Sequence, residues 1–405
     1  MSSIQPFTAE YSLRMSGEIG TETGFCSVVI AGPGLEVTPR DGVSIPVRFA
    51  EITLWKAEDY SFSMTLAGST ELVIMKLARR FDEFTNNFRN FRREYFLQAL
   101  LLEEEKSSAI EGGHYEQRNT SGELLASGPC SVHLQRTSLA CFPDVRLPFL
   151  ISYGAMTAMN RDPENYGVSI PCDDGEHLLL NRFAKRTDEL MAGLNHKYAE
   201  LARRQSAAIA ALAPGLGAME LRRGAALLRD GVPAGREQLQ AGAPGVWESL
   251  WQSGFCEDRR SYAEWLLGTS SRAFVVIKET GPWGAGEGTP AALADRRLLY
   301  LFRVGDAMVL EAPSTDDAAT YIFRITGDAD IFARNLCRAC AAVQFRREPM
   351  YLPLAALNTP PYDRYAEAAR ILPALVALRR AFIGRAIHHS LSSWQKEIGD
   401  LLRSV

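Results

Sequence analysis

The chain contains two copies of one pattern, and a repeat of this kind restricts the fold more than composition can. Cys26-Ser27-Val28 opens a run of short β-like segments, and Cys130-Ser131-Val132 opens a second run 104 residues later. In the first copy, apolar runs mark strands at about 25–31, 35–38, 44–49, 60–66 and 71–75, separated by the turn signals Pro33-Gly34, Asp41-Gly42 and Gly68-Ser69. In the second, strands fall at about 131–134, 138–142, 146–151, 167–170 and 176–180, broken by Pro143-Asp144 and Asp173-Asp174-Gly175. Each copy ends in one long helix.

Those helices carry the clearest period in the protein. Leu77, Phe81, Phe84, Phe88, Phe91 and Tyr95 recur at spacings of 4, 3, 4, 3 and 4, with Arg79, Arg80, Asp82, Asn86, Asn87, Arg89 and Arg93 on the other faces. Burying the five aromatics contributes about 1.5 to 3 kcal/mol each, so the stripe is expected to lie on a sheet. Phe183, Thr187, Leu190, Leu194 and Tyr198 follow nearly the same spacing in the second copy. The helices align at an offset of 106 through Ala78/Ala184, Arg80/Arg186, Asp82/Asp188 and Glu83/Glu189. The drift from 104 to 106 is ordinary loop variation.

A third unit is expected at 271–346, with strands at 273–279, 297–303, 307–311 and 320–325 and a helix from about 328 to 345. Its first connection is the glycine-rich run Gly281 to Gly288. The remaining boundaries follow: an N-terminal segment at 1–24, units at 25–105 and 127–213, a linker of short helices at 215–270, and a helical tail at 362–405 kinked at Pro373.

Composition removes several classes. No run of about 18 apolar residues occurs, and residues 1–20 lack the basic start and apolar middle of a secretory signal, so a cytoplasmic protein without membrane insertion is expected. The 44 basic and 48 acidic residues are interspersed, giving a formal net charge of -4, which argues against nucleic-acid binding. Seven cysteines in a chain of 405 residues fit reduced, buried thiols.

Several short antiparallel strands closed by one amphipathic helix, over 25–105 and 127–213 and more weakly over 271–346, resemble the pleckstrin-homology-like superfold. The resemblance implies an α+β protein of tandem small barrels or sandwiches, each sealed by its C-terminal helix. It also implies a binding role, since members of the superfold recognise phosphoinositides, peptides or histones. This sequence departs from the lipid-binding type. Its first hairpin, Val28 to Val37, has no basic residue, and the second copy offers only His133 and Arg136 there. Several phosphates need several cationic donors.

Catalytic signatures are missing: there is no GxxxxGK[ST] loop, GxSxG elbow, HExxH or strand-linked GxGxxG. The six histidines scatter without ligand spacing, His388-His389 included. Cys337-Arg338-Ala339-Cys340 reads as two buried small residues on a helix rather than as a redox pair, because it lies mid-helix, away from the end that stabilises a thiolate. Neither an enzyme nor a cofactor is expected. Candidate protein-binding residues are the basic pairs Arg79-Arg80 and Lys185-Arg186, with Trp55 and Lys56 near the first. The plainer alternative is surface pairing of Arg79 with Glu83 and Lys185 with Glu189.

The expectation is a non-enzymatic scaffold or adaptor that binds another protein, with an extended peptide added to an open sheet edge beside the closing helix. Alternatives are a peripheral module on anionic lipid and a chaperone-like binder of basic proteins, hinted at by Glu103-Glu104-Glu105. The tail, with Ile371, Leu375, Leu378 and Phe382 at helical spacing, is expected to pack on the last unit, with self-association as the other use of that face.

Overall fold

The computed structural model describes residues 5–15, 20–100, 109–255, 257–279, 296–313, 318–343 and 346–404. The expectations for Gly281 to Gly288 and for Glu103 to Glu105 lie outside those residues.

The first unit comprises β1 (Phe7–Arg14), β2 (Glu22–Ala31), β3 (Gly34–Pro39), β4 (Ile45–Arg48), β5 (Ile52–Glu58), β6 (Ser61–Leu66), β7 (Thr70–Met75) and α1 (Phe81–Ala99). Its seven antiparallel strands run in the order β4-β3-β2-β1-β7-β6-β5. Strand β1 pairs with β2 along one edge and β7 along the other, which lets the sheet curl on itself. Residues before 25, expected to precede the unit, therefore supply its central strand. Alternation explains the curl, since Phe7, Ala9 and Tyr11 point inward from β1 and their neighbours outward.

The second unit repeats this plan with β8 (Ala109–Arg118), β9 (Leu124–Leu134), β10 (Ser138–Pro143), β11 (Phe149–Ser152), β12 (Asn160–Asp162), β13 (Gly167–Pro171), β14 (His177–Asn181) and α2 (Thr187–Leu212). The order β11-β10-β9-β8-β14-β13-β12 is the first order advanced by seven strands. This copy too begins earlier than its sequence pattern, at β8 rather than residue 127. A Cβ at Gly113 would fall 1.9 Å from the Phe183 ring, so glycine is what lets β8 pass beneath the start of the closing helix.

The linker forms α3 (Ala218–Leu227), β15 (Ala234–Gly235), α4 (Arg236–Gly242), α5 (Pro244–Gly254) and α6 (Glu257–Thr269). It leads to β16 (Arg272–Glu279), β17 (Arg296–Val304), β18 (Ala307–Glu311), β19 (Ala319–Arg324) and α7 (Ala329–Ala342). The tail adds α8 (Glu348–Tyr351), α9 (Leu354–Leu357), α10 (Ala366–Ile371), α11 (Pro373–Ala381), β20 (Phe382–Ile387) and α12 (Leu391–Arg403).

This C-terminal module departs from the first two units. Its six strands form a plain meander, β15-β16-β17-β18-β19-β20, with one edge strand from the linker and the other from the tail expected to be helical. Both faces are covered. Phe274, Val276, Leu301 and Phe323 pack toward α7, α10 and α11, while Val275, Ile277, Tyr300 and Phe302 pack toward α5, α6 and α12. A sheet buried on two sides reads as continuous apolar runs, which is how β16 to β19 read. Phe382, the last member of the tail's helical spacing, opens β20 and shields β19 from edge pairing.

Phe84 and Phe88 are fully buried, and Phe81 and Phe91 sit half-buried at the margin of the same core. That core runs without interruption from the first unit into the helices α7, α10 and α11. The second unit keeps a core of its own around Val132, Leu180, Leu190 and Leu194. It meets the C-terminal module both through apolar residues, Ile209 and Leu212 at the end of α2 and Phe142 on β10, and through charge. Arg338 on α7 pairs with Asp173 at 2.8 Å and with Asp174, and the buried Glu279 on β16 is gripped by Arg136, by Arg204 at 2.9 Å and by Arg296 at 3.1 Å.

Candidate protein-binding corners

Four of the six candidate residues gather at one kind of place, the turn that enters each closing helix. In the first unit this corner is made by the β5–β6 turn and by the 3-10 turn Ala78–Arg80 before α1. In the second it is made by the β12–β13 turn and by Ala184–Arg186 before α2.

The backbone there adopts the same unusual shape twice. Tyr60 and Tyr166 have φ of 57° and 48°, Lys76 and Arg182 have 60° and 62°, and Ala78 and Ala184 have 50° and 51°. Each pair stands 106 residues apart. The left-handed region suits glycine and costs other residues roughly 1 kcal/mol or more. Six non-glycine residues nevertheless hold it, at matched positions. The turn buries Leu77 and Phe183 between two left-handed residues and delivers the chain into the helix.

What the corners present to solvent is also matched. Tyr60 is 71% exposed and Tyr166 77% exposed, far more than a packed tyrosine. Arg79 and Lys185 are exposed and form no ion pair among the described residues. Glu58/Glu164, Arg80/Arg186, Asp82/Asp188 and Glu83/Glu189 are identical across the copies.

The local contacts of these residues are not matched. Arg80 pairs with Glu83 at 2.9 Å, donates to the Pro6 carbonyl at 3.0 Å and lies 4.0 Å over the Phe7 ring. Its hydrogen bond to Glu83 raises the guanidinium pKa and lowers that of the carboxyl. Arg186 instead donates to the Glu111 carbonyl, and Asp188 pairs with Arg161 at 3.0 Å. Tyr60 leans on the Phe81 ring at 5.6 Å, whereas the Tyr166 carbonyl accepts from the Thr187 hydroxyl. The expected Arg79–Glu83 and Lys185–Glu189 pairs do not form. An internal structural need would keep partners in common. These corners keep their outward surface and vary what supports it.

Trp55 is not part of that surface. It is buried, stacked on Phe62 at 5.2 Å and edge-on to Phe88 at 5.1 Å, because β5 turns it toward the core. Lys56 is exposed on the same strand. Sequence reasoning missed Tyr60 and Tyr166, although the offset that aligns the helices also aligns them.

Burial opposes ionisation of the thiols at Cys172, Cys337 and Cys340. It pushes Cys340 up to about 12 and raises Cys337 well above the ordinary thiol value, as fits two small residues packed on the inner face of α7. Burial and nearby acids push Cys172 up to about 12 as well. Among the described residues, no three His, Cys, Asp or Glu side chains cluster so as to hold a metal ion, and no helix is long and apolar enough to cross a membrane. Comparison with protein-family models and with curated proteins finds no match to this chain.

Proposed function

We propose that the chain is a non-enzymatic adaptor that binds another protein through the two matched corners. The carrying observation is divergence in support beside a matched surface: Tyr60 and Tyr166 are both exposed, as are the cations Arg79 and Lys185, while the internal contacts of the neighbouring Arg80 and Arg186 differ. Tyrosine and arginine are enriched where interfaces concentrate binding energy. Strained backbone that persists at equivalent points is a mark of positions held for use.

The strand order common to both units is compatible with tandem pleckstrin-homology-like modules, and that resemblance favours binding over catalysis. Two equal sites in one chain favour a partner that carries the recognised feature twice, since linked engagement multiplies modest affinities. Free cations beside an exposed aromatic suit an acidic segment with an apolar side chain next to it.

A photo-crosslinking amino acid placed at Arg79 or at Lys185 tests this in the native cell. The expected result is the same protein captured from both positions and none from the probe at Glu71, an exposed control at the far end of β7. Capture of lipid or nucleotide alone, or of unrelated proteins from the two corners, contradicts the proposal.

A further inference from the structure

Between the second unit and the C-terminal module lies a cleft of about 270 Å³. One wall is β11, the edge strand of the second sheet, which contributes Phe149, Ile151 and Ser152. The facing wall comes from α7 and from Leu372 at the start of α11. Strand β11 pairs with β10 only, so its other side carries main-chain donors and acceptors with no strand partner among the described residues. The corresponding edge of the first unit lies beside the C-terminal helices: Val47 on β4 is buried in the core shared with them, and Arg48 lies 3.8 Å from Glu367 on α10.

Charge in the cleft is uneven. Arg338 has both Asp173 and Asp174, Lys278 has Asp230, and Glu176 is held by the Gln117 amide at 3.2 Å. Arg334 donates once, to the Asp173 carbonyl at 3.0 Å, and forms no ion pair within 4 Å among the described residues, although its charge reaches the Asp328 carboxylate at the start of α7. Asp173 is itself tied to the Ala155 carbonyl at 2.9 Å, just past the end of β11, so this guanidinium stands at the Ser152 end of the strand. The buried Ser152 hydroxyl there has no hydrogen-bond partner among the described residues.

We infer that this cleft takes the free C-terminal end of an extended peptide chain, its main chain pairing with β11 and its carboxylate meeting Arg334. The strand edge supplies main-chain recognition, the apolar walls take apolar side chains, and a guanidinium matches a carboxylate in a two-pronged fit. A carboxylate at the Ser152 end requires the peptide to run parallel to β11. The volume lies just under the range that encloses a drug-sized ligand, enough for about the last two or three residues. The site is separate from the corners and stands or falls without them.

The test uses the full chain and three probes: a pool of N-acetyl tetrapeptides ending in Val, Leu or Phe as free acids, the same pool as C-terminal amides, and inorganic phosphate. The free acids are expected to raise the melting temperature saturably, and the amides and phosphate are not. Arg334→Gln should weaken binding at least tenfold while Arg79→Ala leaves it unchanged. Arg334→Lys, which keeps the charge and loses the fork, should fall between wild type and Arg334→Gln. Amides binding as well as acids, phosphate producing the shift alone, no shift with the acids at millimolar concentration, or full affinity in folded Arg334→Gln or Arg334→Lys would each overturn the inference.

Discussion

The first unit and the second are built to one plan, yet they join the rest of the molecule with a different balance of apolar and charged contact. Around α1 the core continues into the C-terminal helices, with Tyr95 donating to Glu367 at 2.5 Å across the seam. Around α2 the second unit keeps its own core, only the end of the helix, Ile209 and Leu212, enters the core of the linker and C-terminal module, and much of the remaining contact is made by Arg338, Arg204 and Arg136 reaching the acids Asp173, Asp174 and Glu279. A junction that is mainly apolar is strong and little affected by salt. A charged one is weaker per contact, screened by ions, and leaves room beside it. The first copy thus joins through one broad core, and the second through a smaller apolar contact with charged pairs and a cleft beside it.

The comparison breaks most directly in the cores. Phe88→Ala empties a site packed against Phe49, Trp55 and Phe62 and is expected to cost about 3 to 5 kcal/mol. Leu194→Ala, fully buried in the second core, is expected to cost about 2 to 5 kcal/mol. Region-resolved hydrogen exchange should show Phe88→Ala loosening the first unit together with α10 and α11, and Leu194→Ala loosening the second unit while leaving the first protected. Equal loosening of the first unit by Leu194→Ala would erase the distinction.

Acid should act on the charged junction first. Burial alone would push the Glu279 carboxyl up, but the hydrogen bond from Arg204 and the charges of Arg136, Arg204 and Arg296 outweigh it and hold the carboxyl below its ordinary value. A depressed folded pKa means that its stabilisation is complete above about pH 4.3, the unfolded value, and is lost as pH falls through the folded one. Glu279→Gln should therefore be less stable than wild type at pH 6 and should show a flatter decline below pH 4. Parallel pH profiles for the two proteins would remove Glu279 from the junction.

Single polar contacts sharpen the contrast further. Tyr95→Phe removes the hydroxyl that meets Glu367 and should cost about 1 kcal/mol at any salt concentration. Arg338→Gln gives up pairs with Asp173 and Asp174 at a partly exposed position, and should cost about 1 kcal/mol or less at low salt and almost nothing at 1 M NaCl. Urea midpoints measured at both salt concentrations separate the two. A salt dependence of Tyr95→Phe as steep as that of Arg338→Gln would count against a mainly apolar seam.

Much of this architecture was legible in the sequence, and the rest was hidden for physical reasons. The stripe Phe84, Phe88 and Tyr95 was readable because a helix on a sheet must bury one face, and all three are buried. Strands β1 and β8 were missed because Phe7–Arg14 and Ala109–Arg118 alternate with polar residues and stand apart from the Cys-Ser-Val signal. Strand β20 was read as helix because Phe382 completes a helical spacing, while pairing with β19 decides its form. Trp55 was expected near a binding surface, but its register on β5 sends it inward. The junction could not be read at all: Asp173 and Arg338 are 165 residues apart, and nothing local marks them as partners. The corners lay between these cases. Arg79, Arg80, Lys185 and Arg186 were identified by repetition, and Tyr60 and Tyr166 needed only the same alignment carried further back.

The most direct measurement is the affinity of the captured partner for four proteins: wild type, Tyr60→Ala, Tyr166→Ala and the double variant, each shown to be folded. Two equal corners engaged together predict a loss of about tenfold or more in either single variant and a fall to background in the double. Wild-type affinity in both single variants, or loss arising wholly from one of them, would contradict a surface that the chain makes twice.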